Sequence, residues 1–180
     1  MIDGVFNSGV LRFTDVVALA EELEKNTTVT AIDMTYNYLR PSGAMAIANA
    51  LETNRTLTNL CLSCTDIRDC EAAVLAGAIA RNSVLRTLDL SCNLIGPDSA
   101  TAIAKALELN RTLTNISLYD NPILSCGAWQ FAYARRLTPR PGGLNPLDGK
   151  AFRAWRWVGL LAVTRSLRAP HSWGNVRSVV

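Results

Sequence analysis

Cysteine is the residue type in this chain with the most reactive chemistry to offer, and the 180 residues include five of them. Cys61 and Cys64 form a Cys-x-x-Cys motif, a spacing found in redox and zinc sites. On a β-strand, however, residues three apart point to opposite sides and lie about 10 Å apart at ~3.3 Å per residue. The two thiols of this motif are therefore poorly placed to pair with each other.

The other residue types that catalysis needs are sparse. The single histidine, His171, follows Pro170 and has no acid or nucleophile near it in the chain, so we expect a solvated loop side chain. No glycine-rich phosphate loop and no His-Glu-x-x-His motif occurs. Catalysis requires groups that meet in a pocket and shift one another's pKa values. The sequence therefore predicts a protein that is not an enzyme and has no cofactor-binding or metal-binding residues.

A 28-residue unit, written four times, organises most of the chain. The first half of each unit has apolar residues at relative positions 1, 4 and 6, so the last two are two residues apart. This is the period of a β-strand with one face toward a core, and we expect a short strand in each unit. The four segments are Val29 to Asn37, Leu57 to Thr65, Leu85 to Asn93 and Leu113 to Asn121.

The second half of each unit has the pattern of an amphipathic helix. From Ala44 to Leu51, and again from Ala100 to Leu107, apolar residues follow the i, i+3, i+4, i+7 spacing of one helix face. Alanine is frequent on this face, and a small side chain lets a helix lie close to a sheet. Each unit is therefore predicted to be one strand followed by one helix.

Asparagine recurs at the point where each strand turns away. A buried amide at Asn37, Asn93 and Asn121 can hydrogen-bond to backbone groups of its own loop and of the next one, which would form a ladder along the units. Thr65 interrupts the series in the second unit, and its single hydroxyl replaces only part of what an amide offers. We therefore expect these residues to be structural.

A strand and a helix of this size cannot bury their apolar faces alone, so the units must stack. We predict an α/β solenoid, a curved right-handed stack with parallel strands on the concave side and helices on the convex side. The Leu-x-x-Leu-x-Leu-x-x-Asn segment, the 28-residue period and the alanine-rich helix resemble the ribonuclease-inhibitor type of leucine-rich repeat. The resemblance extends from Thr28 to about Pro139 and implies the leucine-rich repeat fold.

The sequence indicates three regions. Residues 28–139 hold the four repeats, and the fourth loses its apolar helix stripe at Arg135. Residues 1–27 are expected to be a degenerate N-terminal repeat, in which Gly4 falls 28 residues before Ile32. Either this segment is a worn terminal unit or the chain begins inside a longer array. Residues 140–180 form a tail outside the repeat.

Charge separates the tail from the rest of the chain. Residues 1–134 carry nine Lys and Arg against fourteen Asp and Glu, a net charge of −5, whereas residues 135–180 carry nine against one, a net charge of +8. Three interpretations of the tail remain open. It covers the end of the last repeat with Phe152, Trp155 and their apolar neighbours, it is a basic surface for membranes or nucleic acid, or it is disordered or an unnatural C-terminus.

The sequence predicts a cytoplasmic protein. Met1-Ile2-Asp3-Gly4 lacks the basic start of a secretory signal, and no apolar run of signal length follows. An odd number of cysteines without a disulfide-framework spacing favours a reducing compartment. Asn54-Arg55-Thr56 and Asn110-Arg111-Thr112 match the N-glycosylation pattern, but they arise at the helix-to-strand junction of the repeat, and we interpret them as by-products.

The strand residues between the core positions should form a laddered inner surface, and this is the predicted binding site for a protein partner. Aromatic and arginine side chains are the usual hot-spot types at such interfaces. The candidate residues on this surface are Asp33, Tyr36, Arg86, Asp89, Tyr119 and Asp120. Cys64 and Cys92 share one column of the same surface, and neighbouring strands lie ~4.8 Å apart. A reversible disulfide between these two is a further hypothesis.

The family resemblance allows more than one function. Similar arrays occur in nucleotide-binding immune receptors, in ribonuclease inhibitor and in Ran GTPase-activating protein. The first prediction is a non-catalytic interaction module or scaffold that binds a protein and takes no small-molecule substrate. The alternatives are a GTPase-activating regulator and a fragment of a larger leucine-rich-repeat receptor. A fold analogy alone does not decide among them.

Overall fold

The computed structural model describes residues 5–7 and 13–124 of the chain. Five three-residue strands alternate with four helices of 13 or 14 residues in this part. The strands are β1 (Val5–Asn7), β2 (Ala31–Asp33), β3 (Asn59–Cys61), β4 (Thr87–Asp89) and β5 (Asn115–Ser117). The helices are α1 (Phe13–Lys25), α2 (Arg40–Thr53), α3 (Asp69–Arg81) and α4 (Pro97–Leu109).

The strands form one parallel sheet in chain order, and each helix packs against the helix of the next unit. Adjacent strands lie ~4.8 Å apart, whereas packed helices lie about 8–10 Å apart. The helical side of the stack is therefore longer than the sheet side. The predicted α/β leucine-rich repeat solenoid, with its strands on the concave side, is confirmed.

The middle residue of each of the strands β2 to β5 faces the helices. Ile32, Leu60, Leu88 and Ile116 are partners in the sheet register, and each is at most 3% exposed. The apolar stripe of each helix meets them from the other side, as the helical spacing predicted. In α2, for example, the four residues of this stripe are at most 1% exposed. They are Ala44, Ile47, Ala48 and Leu51.

The first strand shows where a constant period fails. In the sheet, Phe6 rather than Gly4 is the partner of Ile32, so the expected position of Gly4 is wrong by two residues. The distance from strand to strand is 26 residues here, against 28 for the next pair, Ile32 and Leu60. In α1, Ala20 and Leu23 are buried, 28 residues before their counterparts in α2. The two missing residues therefore belong to the connection between β1 and α1.

The decay of the fourth helix at Arg135, the tail of residues 140–180 and its three interpretations lie outside the described residues. Among the residues that are described, none of the helices combines the length and the hydropathy needed to span a membrane.

Candidate functional site

Asparagine side chains hold the strand-to-helix loops at one edge of the sheet, as predicted. The amide nitrogen of Asn93 donates to Leu62 O, Leu90 O and Ser91 O at 2.8–3.0 Å, and its oxygen accepts from the N–H groups of Thr65 and Ile67. Asn93 and Asn121 therefore bond to their own loop and to the preceding loop, not to the following one as expected. We call this series the strand-end ladder; it consists of Asn37, Thr65, Asn93 and Asn121.

Thr65 weakens this ladder between the first two loops. Its hydroxyl donates to Leu62 O within its own loop at 2.8 Å, and the preceding loop is reached through the backbone, where Leu39 N–H donates to Thr65 O at 3.4 Å. At the equivalent places in the next two loops, Ile67 and Ile95 donate to an asparagine oxygen at 3.0 Å. The prediction that threonine replaces only part of the amide is confirmed.

A groove opens beside the weak point. It has a volume of about 270 Å³ and is lined by residues of the β2–α2 and β3–α3 loops and the helix starts that follow them, Thr65 included. At its rim the Arg40 guanidinium lies 5.7 Å from the Tyr38 ring centroid, and Arg68 pairs with Asp66 at 3.3 Å. The repeat pattern did not predict this groove, although Thr65 marked its position.

A second asparagine series, also missed, closes the opposite edge. The amide nitrogen of Asn110 donates to Ile79 O and Asn82 O, and its oxygen accepts from the N–H groups of Thr112 and Leu113. We call this the helix-end ladder; it consists of Asn26, Asn54, Asn82 and Asn110. Asn54 and Asn110 are at most 3% exposed, so their glycosylation patterns are by-products of the repeat.

The inner surface of the sheet has the predicted columns. The residues just after the strand centres, Asp33, Cys61, Asp89 and Ser117, are register partners, so Asp33 and Asp89 lie on one line with a strand between them. The residues just before the centres form a column that the sequence analysis overlooked. This column contains Ala31, Asn59, Thr87 and Asn115.

The two candidate aspartates at the strand ends bond to their own turns. Asp33 Oδ1 accepts hydrogen bonds from the backbone N–H and the hydroxyl of Thr35 at 2.9 and 2.5 Å, and Asp89 Oδ1 accepts the same pair from Ser91. The hydrogen bonds from Thr35 hold the pKa of Asp33 below its ordinary value, although burial opposes them. Both carboxylates are half-buried and help to fix the turn, which the sequence did not predict.

The other four candidates are exposed. Tyr36 is 79% exposed and Tyr119 49% exposed, and Arg86 and Asp120 also face solvent. Tyr36 and Asp120 lie at opposite ends of one column, whose members all have positive φ angles of 54–62°. The six candidates therefore spread over the inner face and do not meet in one cluster. The members of this column are Tyr36, Cys64, Cys92 and Asp120.

A family model described as a leucine-rich repeat matches residues 25–48 and 81–104 of the chain. These segments each run from the end of one helix, through a strand, into the next helix. The chain contains leucine-rich repeats.

Two solved structures have the same fold but a low sequence identity to this chain. The leiomodin-1 structure that contains actin-binding site 2 superposes with a TM-score of 0.68 at 18% identity, covering 89% of this chain and 95% of that one. The tropomodulin C-terminal domain from Caenorhabditis elegans gives a TM-score of 0.67 at 13% identity, covering 85% and 98%. No curated protein matches the sequence significantly.

The cysteines of this repeat protein have distinct surroundings. The Cys61 sulfur lies 3.1 Å from the Thr35 hydroxyl, and burial raises the pKa of its thiol. Cys70 is exposed at the start of α3, whereas Cys64 and Cys92 are half-buried on the inner face. Within the described residues, no group of three or more His, Cys, Asp or Glu side chains is arranged to hold a metal ion.

Proposed function

We propose that this chain is a non-catalytic, cytoplasmic interaction module that binds a protein through its concave strand surface. The observation that carries the proposal is the inner face itself, where solvent-accessible side chains stand in register over the four parallel strands β2 to β5. Such a face offers an open array of side-chain contacts. The 28-residue period from β2 to β5 and the strand-end asparagines also favour a repeat of the ribonuclease-inhibitor type.

The side chains at the two ends of this face are suited to anchor a partner. Tyr36 and Tyr119 each present a large aromatic ring to solvent, and burying such a ring contributes much of the energy at protein interfaces. Arg86 is also exposed and directly precedes β4, which lies between β2 and β5 in the sheet. Asp33 and Asp89 contribute negative charge along the middle of the face, while Asp120 adds to it beside Tyr119.

Actin is the first partner to test. The leiomodin-1 structure is described as an actin-binding site, and its likeness to this chain extends over most of both. At 18% identity the likeness carries the shape and not the contact residues. We therefore treat actin as a candidate that the inner face must accept or reject by experiment.

The decisive experiment measures binding of the purified chain to filamentous actin by co-sedimentation and to cell-extract proteins by pull-down. Tyr36→Ala, Arg86→Ala and Tyr119→Ala should each weaken binding about tenfold or more if the ring or guanidinium is a hot spot. Met45→Ala is the matched control, because Met45 is 52% exposed on helix α2. Equal loss in the control, or retained partners in all three variants, would move the site away from the concave face.

A GTPase-activating role is the alternative from a different class. It is tested by following GTP hydrolysis by a panel of small GTPases with and without the full chain. A rate increase that depends on the chain would replace the present proposal, and no increase across the panel would remove the alternative.

A further inference from the structure

Cys64 and Cys92 lie on neighbouring turns of the inner face at the same position of the repeat. The backbone bonds that join the strands continue through them, because Cys64 N–H donates to Ser91 O at 3.1 Å and Cys92 N–H donates to Tyr119 O at 2.8 Å. Neighbouring chains of a sheet lie ~4.8 Å apart. That spacing falls within the range of about 4.4–6.8 Å between the Cα atoms of disulfide-linked cysteines.

The two residues also have the same backbone conformation. Their φ angles are 55° and 54°, in the left-handed region, so their Cα–Cβ bonds point in nearly the same direction. The Cys64 thiol raises the pKa of the Cys92 thiol, as a near neighbour does, and both side chains are partly accessible to solvent. Bringing the sulfurs together requires only a change of side-chain rotamer and a slight approach of the two turns.

We propose that Cys64 and Cys92 are an oxidation site, at which a hydroperoxide converts the two thiols into a reversible disulfide between adjacent repeats. One thiolate attacks an oxygen of hydrogen peroxide, the O–O bond breaks, and the leaving hydroxide takes up the proton that the thiol had lost, so the products are a sulfenic acid and water. The second thiol, as its thiolate, then attacks the sulfenic sulfur and releases a second water as the S–S bond forms. The two cysteines lose two electrons in total, and hydrogen peroxide is reduced to two waters.

The surroundings of the pair make this reaction slow. Burial raises the pKa of the Cys92 thiol, and the neighbouring Cys64 thiol and the Asp120 carboxylate raise it further. A smaller share of thiolate slows the attack on peroxide. The other described cysteines have a different environment, because Cys61 lies in the column of the two aspartates and Cys70 lies on α3.

The finished bond should be easy to reduce. Two parallel Cα–Cβ bonds on chains ~4.8 Å apart keep the Cβ atoms at about that distance, whereas disulfides have a mean Cβ separation of about 3.8 Å. The turns must therefore be drawn together by about 1 Å, and such strain makes a disulfide more reducible. A dithiol reductant should restore both thiols.

The test treats the full chain with hydrogen peroxide and maps its cysteines by differential alkylation and mass spectrometry. We expect two thiols to disappear per chain, a cross-link between the peptides that contain Cys64 and Cys92, and recovery of both thiols with dithiothreitol. The Cys61→Ser variant is used alongside the natural chain, because Cys61 and Cys64 share one tryptic peptide. The cross-link should persist in this variant and in Cys70→Ser.

Cys64→Ser and Cys92→Ser should each abolish the cross-link while the chain keeps its circular dichroism spectrum. A disulfide that contains any other cysteine, a bond between two chains, or oxidation to sulfinic acid without a cross-link would overturn the proposal. The readout is a mass, so it does not depend on what the inner face binds.

Discussion

The two edges of this sheet are held by asparagine side chains, but one edge is continuous and the other is interrupted. The helix-end ladder has an asparagine in each of its four units, and three of them bond back to the preceding unit. The strand-end ladder has threonine at Thr65, where the hydroxyl bonds within its own loop and the loops meet through a longer backbone bond. The groove of about 270 Å³ lies at this place.

The residue type at this one position therefore decides whether a side chain, in addition to the backbone, joins neighbouring loops. The backbone follows the same course whether the loop has asparagine or threonine, since β2, β3 and β4 keep their register on either side of Thr65. What changes is the number of hydrogen bonds that one buried side chain can make. An amide has two N–H donors and an oxygen that accepts two bonds, whereas a hydroxyl has one donor.

The largest effect is expected from breaking the continuous ladder with Asn110→Ala. The substitution leaves the buried carbonyls of Ile79 and Asn82 and the N–H groups of Thr112 and Leu113 without their side-chain partner. Each unsatisfied buried group is costly, and we expect a loss of about 3 kcal/mol in the free energy of unfolding. Urea denaturation of the full chain measures it.

The control for Asn110→Ala is Asn115→Ala, an asparagine that is exposed on β5. This variant should change the free energy of unfolding by less than about 0.5 kcal/mol. Similar values for the two variants would show that the helix-end ladder does not support the stack.

The next effect comes from copying the interruption into the following loop with Asn93→Thr. A threonine there keeps a donor for Leu90 O but no longer bonds to both Leu62 O and Ser91 O, and its hydroxyl is a poor substitute acceptor for the N–H of Ile67. We expect a loss of about 2 kcal/mol, again by urea denaturation. Asn115→Thr controls for the intrinsic effect of threonine, and a loss no greater than in this control would contradict the account of Thr65.

The reverse substitution, Thr65→Asn, should repair the interrupted ladder. By the 28-residue translation from Asn93, the new amide would donate to Met34 O and accept from Leu39 N–H. We expect a gain of about 1 kcal/mol, seen as a higher urea midpoint with an unchanged m-value. Hydrogen exchange at the Leu39 amide should slow at the same time. Faster exchange there would mean that the loops are held apart by something other than the missing amide.

Much of this fold follows from the sequence, because the strand pattern and the helix pattern recur in each repeat. The middle strand residues and the helix stripe are buried as the two periods predict, and Thr65 weakens the ladder as the chemistry of a hydroxyl predicts. The predicted position of β1 was wrong because the first unit departs from the 28-residue period. Only the pairing of β1 with β2 reveals the shorter connection. The helix-end ladder was visible as a recurring asparagine and was overlooked.

The candidate site is less predictable from sequence than the fold. Alternation along a strand predicts which residues face the concave surface, but not which of these are already hydrogen-bonded within the protein. Asp33 and Tyr36 have the same standing in the sequence, yet one bonds to its own turn and the other is 79% exposed. That difference depends on the course of the backbone after the strand. The groove likewise needs two loops from different units.

The smallest effect concerns the loop after β2. This loop is the one that receives no side-chain hydrogen bond from its neighbour, because the neighbouring loop has Thr65 in place of an asparagine. Asp33 accepts two hydrogen bonds from Thr35 in this loop, and they hold the pKa of its carboxyl below the ordinary value. A carboxyl with a lowered folded pKa adds stability that is present above its unfolded pKa of about 3.9 and is lost as the pH falls through the folded pKa. Thr35→Val removes the hydroxyl, so the Asp33 pKa measured by NMR titration should rise toward its ordinary value, and the stability of the variant should depend less on pH below about pH 4. Ser91→Ala makes the matching change at Asp89 and should leave the Asp33 titration unchanged. A pKa for Asp33 that does not move in Thr35→Val would show that the hydroxyl is not what stabilises the carboxylate in the loop after β2.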